Sequence, residues 1–394
     1  MKRPPMTLNA HSAGRWMRLP EGHHAFLPNP LPPALLFTPR ITRALSEADL
    51  LLGRLAGEGK HLPNLHLLLR PFIRREAVLS SRIEGTQATL GELLASEAGA
   101  AVERSPSDLR EVGNYVVALE YGKNRLKSLP LSLRLMRELH EKLMKGVGTP
   151  HLSPGEFRHS QNWMGPAGCT LMNATYVPPP PGELLDCLSD WEKFLHDQTL
   201  PPLVQIALAH YQFEAIHPFL DGNGRVGRLL IPLFLMEREI LPAPLLYLSA
   251  FFEATRREYY ERLAGVSARG EWELWLLYFL SGVARQAEDA LSRAERINQI
   301  LTHWRTVTAK TSLKLPDLIL ARLAANPFLT MKMAAQTFKV AFTTVQRATD
   351  FLTRKNILKE ISGGKRDRVY CAQKILNILE EPATVVPSAG KLIP

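Results

Sequence analysis

The sequence predicts a mainly α-helical protein with more than one folded unit, and two observations support this. Apolar residues recur at the i, i+3, i+4 spacing of amphipathic helices over most of the chain, for example at Leu50, Leu51 and Leu55. The chain has 394 residues, of which 45% are hydrophobic, and this is more than one core of usual size holds. We therefore expect two or three folded units.

Composition favours a soluble cytoplasmic protein. The richest apolar run, 229–236, is far shorter than the roughly eighteen residues of a membrane span, and the N-terminus lacks the apolar core of a secretory signal. The 3 cysteines lack metal-binding spacing, so neither a disulfide framework nor a zinc site is expected. The net charge of +10 fits a polyanionic partner, but scattered exposed Lys and Arg would give the same sum.

Changes of character along the chain divide it into six segments. Residues 1–40 are rich in proline and lack periodicity, which predicts an extended arm. Residues 161–181 combine glycines with aromatic and β-branched residues and end in prolines, which predicts an exposed hairpin or flap. The segments are a proline-rich arm (1–40), an N-terminal helical region (41–110), a helical core with the flap (111–272), a helical linker (273–312), a winged helix-turn-helix domain (313–380) and a disordered tail (381–394).

One loop in the middle of the chain contains residue types suited to polyphosphate chemistry. Glycines on both sides of Asn223 let the backbone approach an anion, and the apolar run that follows predicts a helix whose N-terminal amides would face phosphate. Arg225 and Arg228 offer forked donors to phosphate oxygens. Asp221 supplies a hard oxygen ligand for Mg²⁺, and His217 can accept a proton near neutral pH. A plain turn between two helices would need neither Asn223 nor both arginines.

This loop resembles the signature of Fic-domain proteins, His-x-Phe-x-[Asp/Glu]-Gly-Asn-Gly-Arg-x-x-Arg, and matches it at every defined position from His217 to Arg228. The resemblance implies a Fic helical core and a protein adenylyltransferase, which moves AMP from ATP to Ser, Thr or Tyr hydroxyls of target proteins and of itself. It implies that His217 deprotonates the hydroxyl, that Asp221 holds Mg²⁺ and that Phe219 anchors the loop. The residues that it implies for binding ATP, the co-substrate, are Gly222, Asn223, Gly224, Arg225, Val226, Gly227, Arg228 and Tyr260.

Three further features bear on this resemblance. Doc-type kinases of the same family carry a lysine where this chain has Gly224, which favours AMP transfer over phosphate transfer. The flap at 161–181 is similar to the family's target-positioning flap, with which an incoming chain pairs by main-chain hydrogen bonds. Tyr260 lies in a stretch similar to the helix that lines the adenine pocket, although a helical tyrosine is more often core or surface. Relatives often form dimers, so the resemblance also implies a homodimer.

A possible inhibitory segment precedes the core. Ser80 and Glu84 are four residues apart and therefore share one face of a helix that Gly85 ends. Alone this is an ordinary helix end, but it resembles the Ser/Thr-x-x-x-Glu-Gly/Asn motif of self-inhibited Fic proteins. The resemblance implies that Glu84 pairs with Arg228 and keeps the γ-phosphate of ATP from its productive position. The same glutamate could instead align a water that removes AMP from modified targets, and both readings stay open.

The C-terminal unit has the pattern of a winged helix-turn-helix. A helical run opens at Pro316, Thr330 is a plausible N-cap for 331–338, and a further helix over 343–355 is followed by a hairpin with a Gly-Gly turn. Residues suited to a major groove and to phosphates are Thr343, Thr344, Gln346, Arg347, Lys365, Arg366 and Arg368. The same fold also serves as a protein-docking or dimerising module. A nucleotide-responsive DNA-binding regulator is therefore the non-enzymatic alternative.

Overall fold

The computed structural model describes residues 12–19, 22–61, 65–148, 153–166, 168–362 and 368–384. Over these residues the protein has fifteen α-helices and five short strands, which confirms the predicted mainly α fold. None of the helices in these ranges is both long and apolar enough to cross a membrane.

The main body contains the first two strands and eleven helices. In chain order they are β1 (Gly14–Arg18), β2 (His24–Pro28), α1 (Pro39–His61), α2 (Leu65–Ile83), α3 (Leu90–Glu97), α4 (Pro106–Arg125), α5 (Leu133–Leu143), α6 (Pro181–Leu195), α7 (Pro202–Ile216), α8 (Asn223–Glu237), α9 (Ser249–Ala254), α10 (Arg256–Arg269) and α11 (Trp272–Thr308). The C-terminal unit contains α12 (Leu315–Leu323), β3 (Phe328–Thr330), α13 (Met331–Phe338), α14 (Phe342–Arg354), β4 (Lys359–Glu360), β5 (Val369–Cys371) and α15 (Gln373–Glu380).

Helix α7 is the centre of the main body. Its apolar residues are distributed over every side. Of its residues from Leu203 to Ile216, all but Glu214 are buried, and the helix packs against α6, α8 and α11. Two tryptophans bond its backbone from opposite neighbours: Trp191 of α6 donates Nε1–H to the Ala209 carbonyl at 2.8 Å, and Trp275 of α11 donates to the Ala207 carbonyl at 2.9 Å. The C-terminal end of α7 is thereby fixed deep in the protein.

The segment predicted as a helical linker, 273–312, is mostly one long core helix. The first half of α11 packs into the main body, where Trp275 and Phe279 are fully buried. Its second half contributes Ile297 and Trp304 to the core of the C-terminal unit. The segment is helical, as predicted. It is more than a linker, because its two halves are buried in the cores of the two units.

The proline-rich arm contains a β-hairpin that sequence reasoning missed. Strands β1 and β2 pair antiparallel, and the amide of Phe26 donates to the carbonyl of Val177 at 2.8 Å. The rings of Trp16 and Phe26 pack near that of Tyr176. The strands are five residues each and lie among prolines, so their two-residue alternation was too short to detect. Residues 1–11 and 20–21 lie outside the described ranges.

The predicted flap hairpin is reduced to one bridge between Met164 and Tyr176. Prolines at 178–181 have no amide to donate, and residues 171–173 form a single 3₁₀ turn, so the ladder does not extend. The segment is therefore a loop with one bridge, held on one side by Phe26.

The C-terminal unit has the three helices and the hairpin that the sequence predicted, with a third strand added. Its sheet has the order β3-β5-β4, all antiparallel. Thr330 caps α13, as expected, by accepting from the amide of Met333 at 3.3 Å. Strand β3 was missed because its partner β5 is far along the chain. Lys365 and Arg366, predicted at the hairpin tip, lie outside the described residues.

The two units contact each other through α2, α3 and α11. Asn326 donates to the Leu94 carbonyl at 2.9 Å, and Thr330 donates to the Ala98 carbonyl at 2.8 Å. Arg293 of α11 donates to the carbonyls of Ile378 and Glu381. Glu381, the first residue of the predicted disordered tail, is thus held by Arg293. Residues 385–394 of that tail lie outside the described ranges.

Replacing Trp275 by alanine tests whether α11 belongs to the core. Loss of a fully buried tryptophan and of its hydrogen bond should lower the free energy of unfolding by about 3–5 kcal/mol. The exposed Gln299, on the same helix, is the control, and its change to alanine should alter stability by no more than about 0.5 kcal/mol. Urea unfolding measures both; equal small effects would mean that α11 is a linker.

Candidate active site

The loop between α7 and α8 is closed by a single asparagine. Oδ1 of Asn223 accepts from the amide of Phe219 at 2.8 Å, and Nδ2 donates to the carbonyl of the same residue at 2.8 Å. Phe219 is fully buried, as predicted, and its ring stacks on that of His140 at 3.8 Å between centroids. The side chain of Asn223 therefore serves the loop, which leaves its backbone amide for an anion. That Asn223 binds ATP stays a prediction.

His140 fixes the far side of the loop. The amide of Gly155 donates to its Nδ1 at 2.8 Å, so Nε2 carries the proton and donates to the carbonyl of Asp221 at 3.1 Å. Burial lowers the pKa of His140 to about 4, which keeps the ring neutral and preserves this tautomer. His140 therefore positions the backbone of the loop.

His217 terminates α7 in the left-handed conformation, with φ +51°. Its carbonyl accepts from Nε of Arg158 at 2.9 Å and from Nδ2 of Asn162 at 3.2 Å, and these bonds hold the conformation. Nδ1 lies 3.3 Å from the carbonyl oxygen of Glu214 and donates its proton there, so Nε2 keeps a free lone pair. Burial lowers the pKa of His217 to about 4, and the ring is uncharged at neutral pH.

The N-terminal turn of α8 presents backbone amides to the same side. Gly222 adopts φ +76° before the helix, and the first helical bond runs from the amide of Val226 to its carbonyl at 3.0 Å. The amides of Asn223, Gly224 and Arg225 precede this bond and have no acceptor in the helix. Together with the helix dipole they form an end that attracts anions.

Three of the residues predicted to bind ATP, Val226, Gly227 and Tyr260, lie outside the loop that precedes α8. The side chain of Val226 is fully buried in the core, and the carbonyl of Gly227 is bonded to Nδ1 of His210 at 2.9 Å. The Val226 side chain and the Gly227 carbonyl thus make contacts inside the protein, and neither group faces the anion-binding end of α8. Tyr260 is 43% exposed on α10, and burial and the nearby charge of Glu84 both raise its pKa. Its ring is open to solvent beside the site.

Arg228 is a buried charge held from the end of α2. Its Nη2 lies 2.5 Å from Oε1 of Glu84, and its Nε donates to Oγ of Ser80 at 2.9 Å. The predicted contact between Glu84 and Arg228 is therefore confirmed. The side chain of Arg228 is 2% exposed and that of Glu84 is 35% exposed, so the acid approaches the arginine from the solvent side.

The charges of this pair stabilise each other. Burial by itself lowers the pKa of Arg228, but the Glu84 carboxylate, together with Tyr259, Glu214 and Tyr260, outweighs burial and raises it. Partial burial by itself raises the pKa of Glu84, but the charge and hydrogen bond of Arg228 outweigh burial and lower it. Both groups are therefore ionised at neutral pH.

Gly224 makes room for the pair. A Cβ at this position would collide with the Glu84 carboxylate and would lie 2.9 Å from Nη1 of Arg228. A larger residue here, including the lysine of kinase-type motifs, would displace the ends of these two side chains from their observed positions. In this chain, the absence of a side chain at Gly224 leaves the space that the pair of Glu84 and Arg228 occupies.

Arg225 faces two acids. Its Nη1 donates to Oε2 of Glu111 at 3.3 Å, and its Nη2 lies 3.5 Å from Oδ1 of Asp221. The side chain of Asp221 is 51% exposed and accepts from the amide of Gly222 at 2.6 Å. One exposed carboxylate beside an anion-binding helix end fits Mg²⁺, which takes its other oxygens from phosphates and water. The described residues contain no cluster of three His, Cys, Asp or Glu that could hold an ion alone.

Glu214 is a half-buried residue at the end of α7, and its buried Oε1 has no hydrogen-bond partner among the described residues. Burial raises its pKa from 4.5 to about 7; the charge of Arg228 opposes this rise and that of Glu84 adds to it. The protein thus keeps a second acid near Arg228, and this acid is only partly ionised at neutral pH.

Sequence reasoning missed four residues of the site: Glu111, His140, Arg158 and Glu214. A signal existed for Glu214, which precedes His217 by three residues and therefore lies on the same side of the helix. The other three come from elements far from the loop in sequence, and no spacing rule connects them to it.

Comparison with known proteins agrees with this geometry. The Fic/DOC family N-terminal domain matches residues 42–124, and the Fic/DOC family domain matches residues 130–235. The chain contains a Fic domain. It extends from α5 to α8 and includes the whole loop described above.

Curated relatives include two proteins named protein adenylyltransferase Fic. The Drosophila yakuba protein is 33% identical over 160 residues, which are 39% of this chain and 30% of that protein. The Drosophila virilis protein is 34% identical over 160 residues, 39% of this chain and 31% of that protein. The match therefore spans less than a third of the length of these relatives.

Solved structures show that the fold is shared. A Fic family protein from Desulfovibrio desulfuricans G20 superposes with a TM-score of 0.57 at 22% identity, over 87% of this chain and 98% of that chain. A variant of Fic-1 from C. elegans gives a TM-score of 0.51 at 22% identity, over 65% of this chain and 74% of that chain. The first match extends well beyond the Fic domain itself.

The pKa of Glu214 gives a prediction for stability. The folded protein keeps this acid protonated up to about pH 7, whereas the unfolded chain ionises it near 4.5. Stability is therefore lost between these two pH values, by up to about 3 kcal/mol. Glu214→Gln has no such loss, so its free energy of unfolding should exceed that of the wild type increasingly from pH 4 to pH 8. The groups facing Glu214 are Arg228, Glu84 and Tyr259.

Urea unfolding at several pH values measures the difference between the two proteins. Glu120→Gln, which changes an exposed carboxyl on α4, is the matched control. A stability difference for Glu214→Gln that stays constant with pH would contradict the assignment.

Proposed function

We propose that this chain is a Mg²⁺-dependent protein adenylyltransferase that inhibits itself through Glu84. The observation that carries the proposal is a neutral His217 beside the open N-terminus of α8, where the buried Arg228 is held by Glu84. Similarity to proteins named protein adenylyltransferase Fic supports the choice of reaction.

In the proposed reaction, a hydroxyl oxygen of a target Ser, Thr or Tyr attacks the α-phosphorus of ATP. A new O–P bond forms while the bond from the α-phosphorus to the bridging oxygen breaks, and diphosphate leaves with that electron pair. The hydroxyl proton passes to Nε2 of His217. Because the pKa of His217 is about 4, the ring is in its proton-accepting form over the whole neutral range.

The chain's own groups would orient the nucleotide. The first-turn amides of α8 and the guanidinium groups of Arg225 and Arg228 would bind phosphate oxygens. Asp221 would hold Mg²⁺, which when bound neutralises phosphate charge and favours departure of diphosphate. The exposed ring of Tyr260 is available to stack on adenine.

The flap loop would hold the target chain. The segment around Tyr176 is flanked by Met164 on one side and by Phe26 of the N-terminal hairpin on the other. Its free edge is therefore the segment 161–166, which Asn162 ties to the carbonyl of His217. An extended target that pairs along this edge would bring its hydroxyl to His217 with little selection by side chains.

Inhibition would follow from competition for Arg228. A γ-phosphate and the Glu84 carboxylate both need its Nη groups, and Glu84 is already 2.5 Å away. ATP would then bind with its phosphates displaced and its α-phosphorus out of line with the attacking hydroxyl. Removing only the acid frees the arginine for nucleotide.

Intact-mass measurement after incubation with ATP and Mg²⁺ tests the proposal. We expect adenylyl adducts on Glu84→Gly in clear excess over wild type, because the competing acid is gone. We expect Glu84→Gly/His217→Ala to lose at least about a hundred-fold in rate, the usual contribution of a general base. Adducts that persist without His217 would exclude its role as the base.

Removal of AMP is separated by a second incubation. Modified Glu84→Gly protein is mixed, without ATP, with unmodified protein that keeps Glu84. Loss of AMP that requires Glu84 would favour the alternative in which this acid aligns a water. Absence of adducts on every variant and on every added protein would overturn the transferase proposal.

We propose further that the C-terminal unit is a winged helix that binds duplex DNA. Residues 331–371 contain nine basic and three acidic residues, a net charge of +6 out of +10 for the chain. Helix α14 packs on α12 and α13 with one face, and Thr343, Thr344 and Arg347 on the other face are exposed. Gln346 instead donates to Asp350 at 2.6 Å, so it is less available for a base. An exposed, basic helix of this kind fits a major groove.

Fluorescence anisotropy with a labelled DNA duplex of mixed sequence tests this second proposal. Arg347→Ala should weaken binding by about ten-fold and reduce the salt dependence by about one unit, as expected for a lost phosphate or base contact. Arg257→Ala, an equally exposed arginine on α10, is the control and should bind as the wild type does. No binding at low salt would favour a protein-docking unit instead.

A further inference from the structure

The first arginine of the motif is also held by an acid from outside the loop. Oε2 of Glu111, on α4, accepts from Nη1 of Arg225 at 3.3 Å and from Oγ1 of Thr86 at 3.0 Å. The side chain of Arg225 is 4% exposed and that of Glu111 is 26% exposed. One carboxylate oxygen therefore joins an arginine of the catalytic loop to the segment that follows α2.

Thr86 belongs to the turn that carries Glu84. Its amide donates to the carbonyl of Ser81 at 3.2 Å, which ties it to the last turn of α2. The next amide, of Gln87, donates to Oδ2 of Asp108 at 3.3 Å. Asp108 and Glu111 are three residues apart on α4, so one side of that helix holds the turn by two carboxylates.

We propose that Glu111 is a positioning residue that couples binding of phosphate at Arg225 to release of Glu84 from Arg228. This inference rests on the proposed function, since it concerns how nucleotide reaches the same site. A phosphate that binds Arg225 takes the cation from Glu111 and brings negative charge beside it. Glu111 must then move away, and Thr86 loses its acceptor. The turn that carries Glu84 is loosened at the moment when phosphate arrives.

Two variants separate the parts of this coupling. Thr86→Val removes the hydroxyl that holds the turn but leaves the pair of Glu111 and Arg225 intact. Glu111→Gln keeps an oxygen for Thr86 but removes the charge that competes with phosphate. Neither variant changes Glu84, Arg228 or His217.

Calorimetric ATP binding with Mg²⁺, and the rate of adduct formation, are measured for each variant with and without Glu84. With Glu84 present, Thr86→Val should tighten ATP binding and raise the rate by between roughly two-fold and ten-fold, the range of one hydrogen bond. In the Glu84→Gly background the same change should have no effect, because the turn no longer carries an inhibitory group. Glu111→Gln should tighten ATP binding in both backgrounds, and more when Glu84 is present.

Glu120→Gln on the same helix is the control for the loss of an acid and should leave affinity and rate unchanged. If Glu84→Gly forms adducts but Thr86→Val has equal effects in both backgrounds, or none, the coupling is wrong and the transferase proposal stands. If no protein forms adducts, ATP affinity still decides: tightening by Thr86→Val only when Glu84 is present supports the coupling, and its absence overturns it.

Discussion

The site depends on one buried positive charge. Arg228 lies on α8 with 2% of its side chain exposed, and an uncompensated guanidinium there would cost several kcal/mol. The protein must therefore supply an anion to it in every state, and Glu84 does so in this structure. A nucleotide phosphate is the natural replacement, because it offers the same kind of oxygen to the same donors. The proposed inhibition would then act through charge compensation at Arg228, because Glu84 leaves Nε2 of His217 free.

The rest of the fold keeps these groups in place. An α7 that is apolar on all sides has to lie in the centre, and its buried end holds Glu214 and lowers the pKa of His217. Helix α2 is fixed at its C-terminal end by Arg228 and further back by Arg75, whose Nη2 donates to the Glu381 carbonyl at 3.3 Å. This contact with the C-terminal unit thereby stabilises the position of the helix that carries Glu84.

The sequence predicted those features whose residues lie close together along the chain and missed those that depend on distant partners. The loop from His217 to Arg228 was readable because its chemistry lies in twelve consecutive residues, and the pair of Glu84 with Arg228 followed from a resemblance. The third strand of the C-terminal sheet and the contact of Phe26 with Val177 depend on partners far along the chain, so no periodicity reveals them. Asn223 was assigned to ATP, but residue type alone did not reveal that its side chain bonds the backbone of Phe219.

In the proposed mechanism, Glu214 is a second acid whose charge could partly replace that of Glu84 near Arg228. The charge of Glu84 is one reason why the pKa of Glu214 is raised, so its loss lowers that pKa and favours ionisation of Glu214 at neutral pH. An ionised Glu214 would then offset part of the charge of Arg228 when Glu84 has left. Glu84 approaches Arg228 from the solvent side, so its departure would open that side of the arginine to a phosphate.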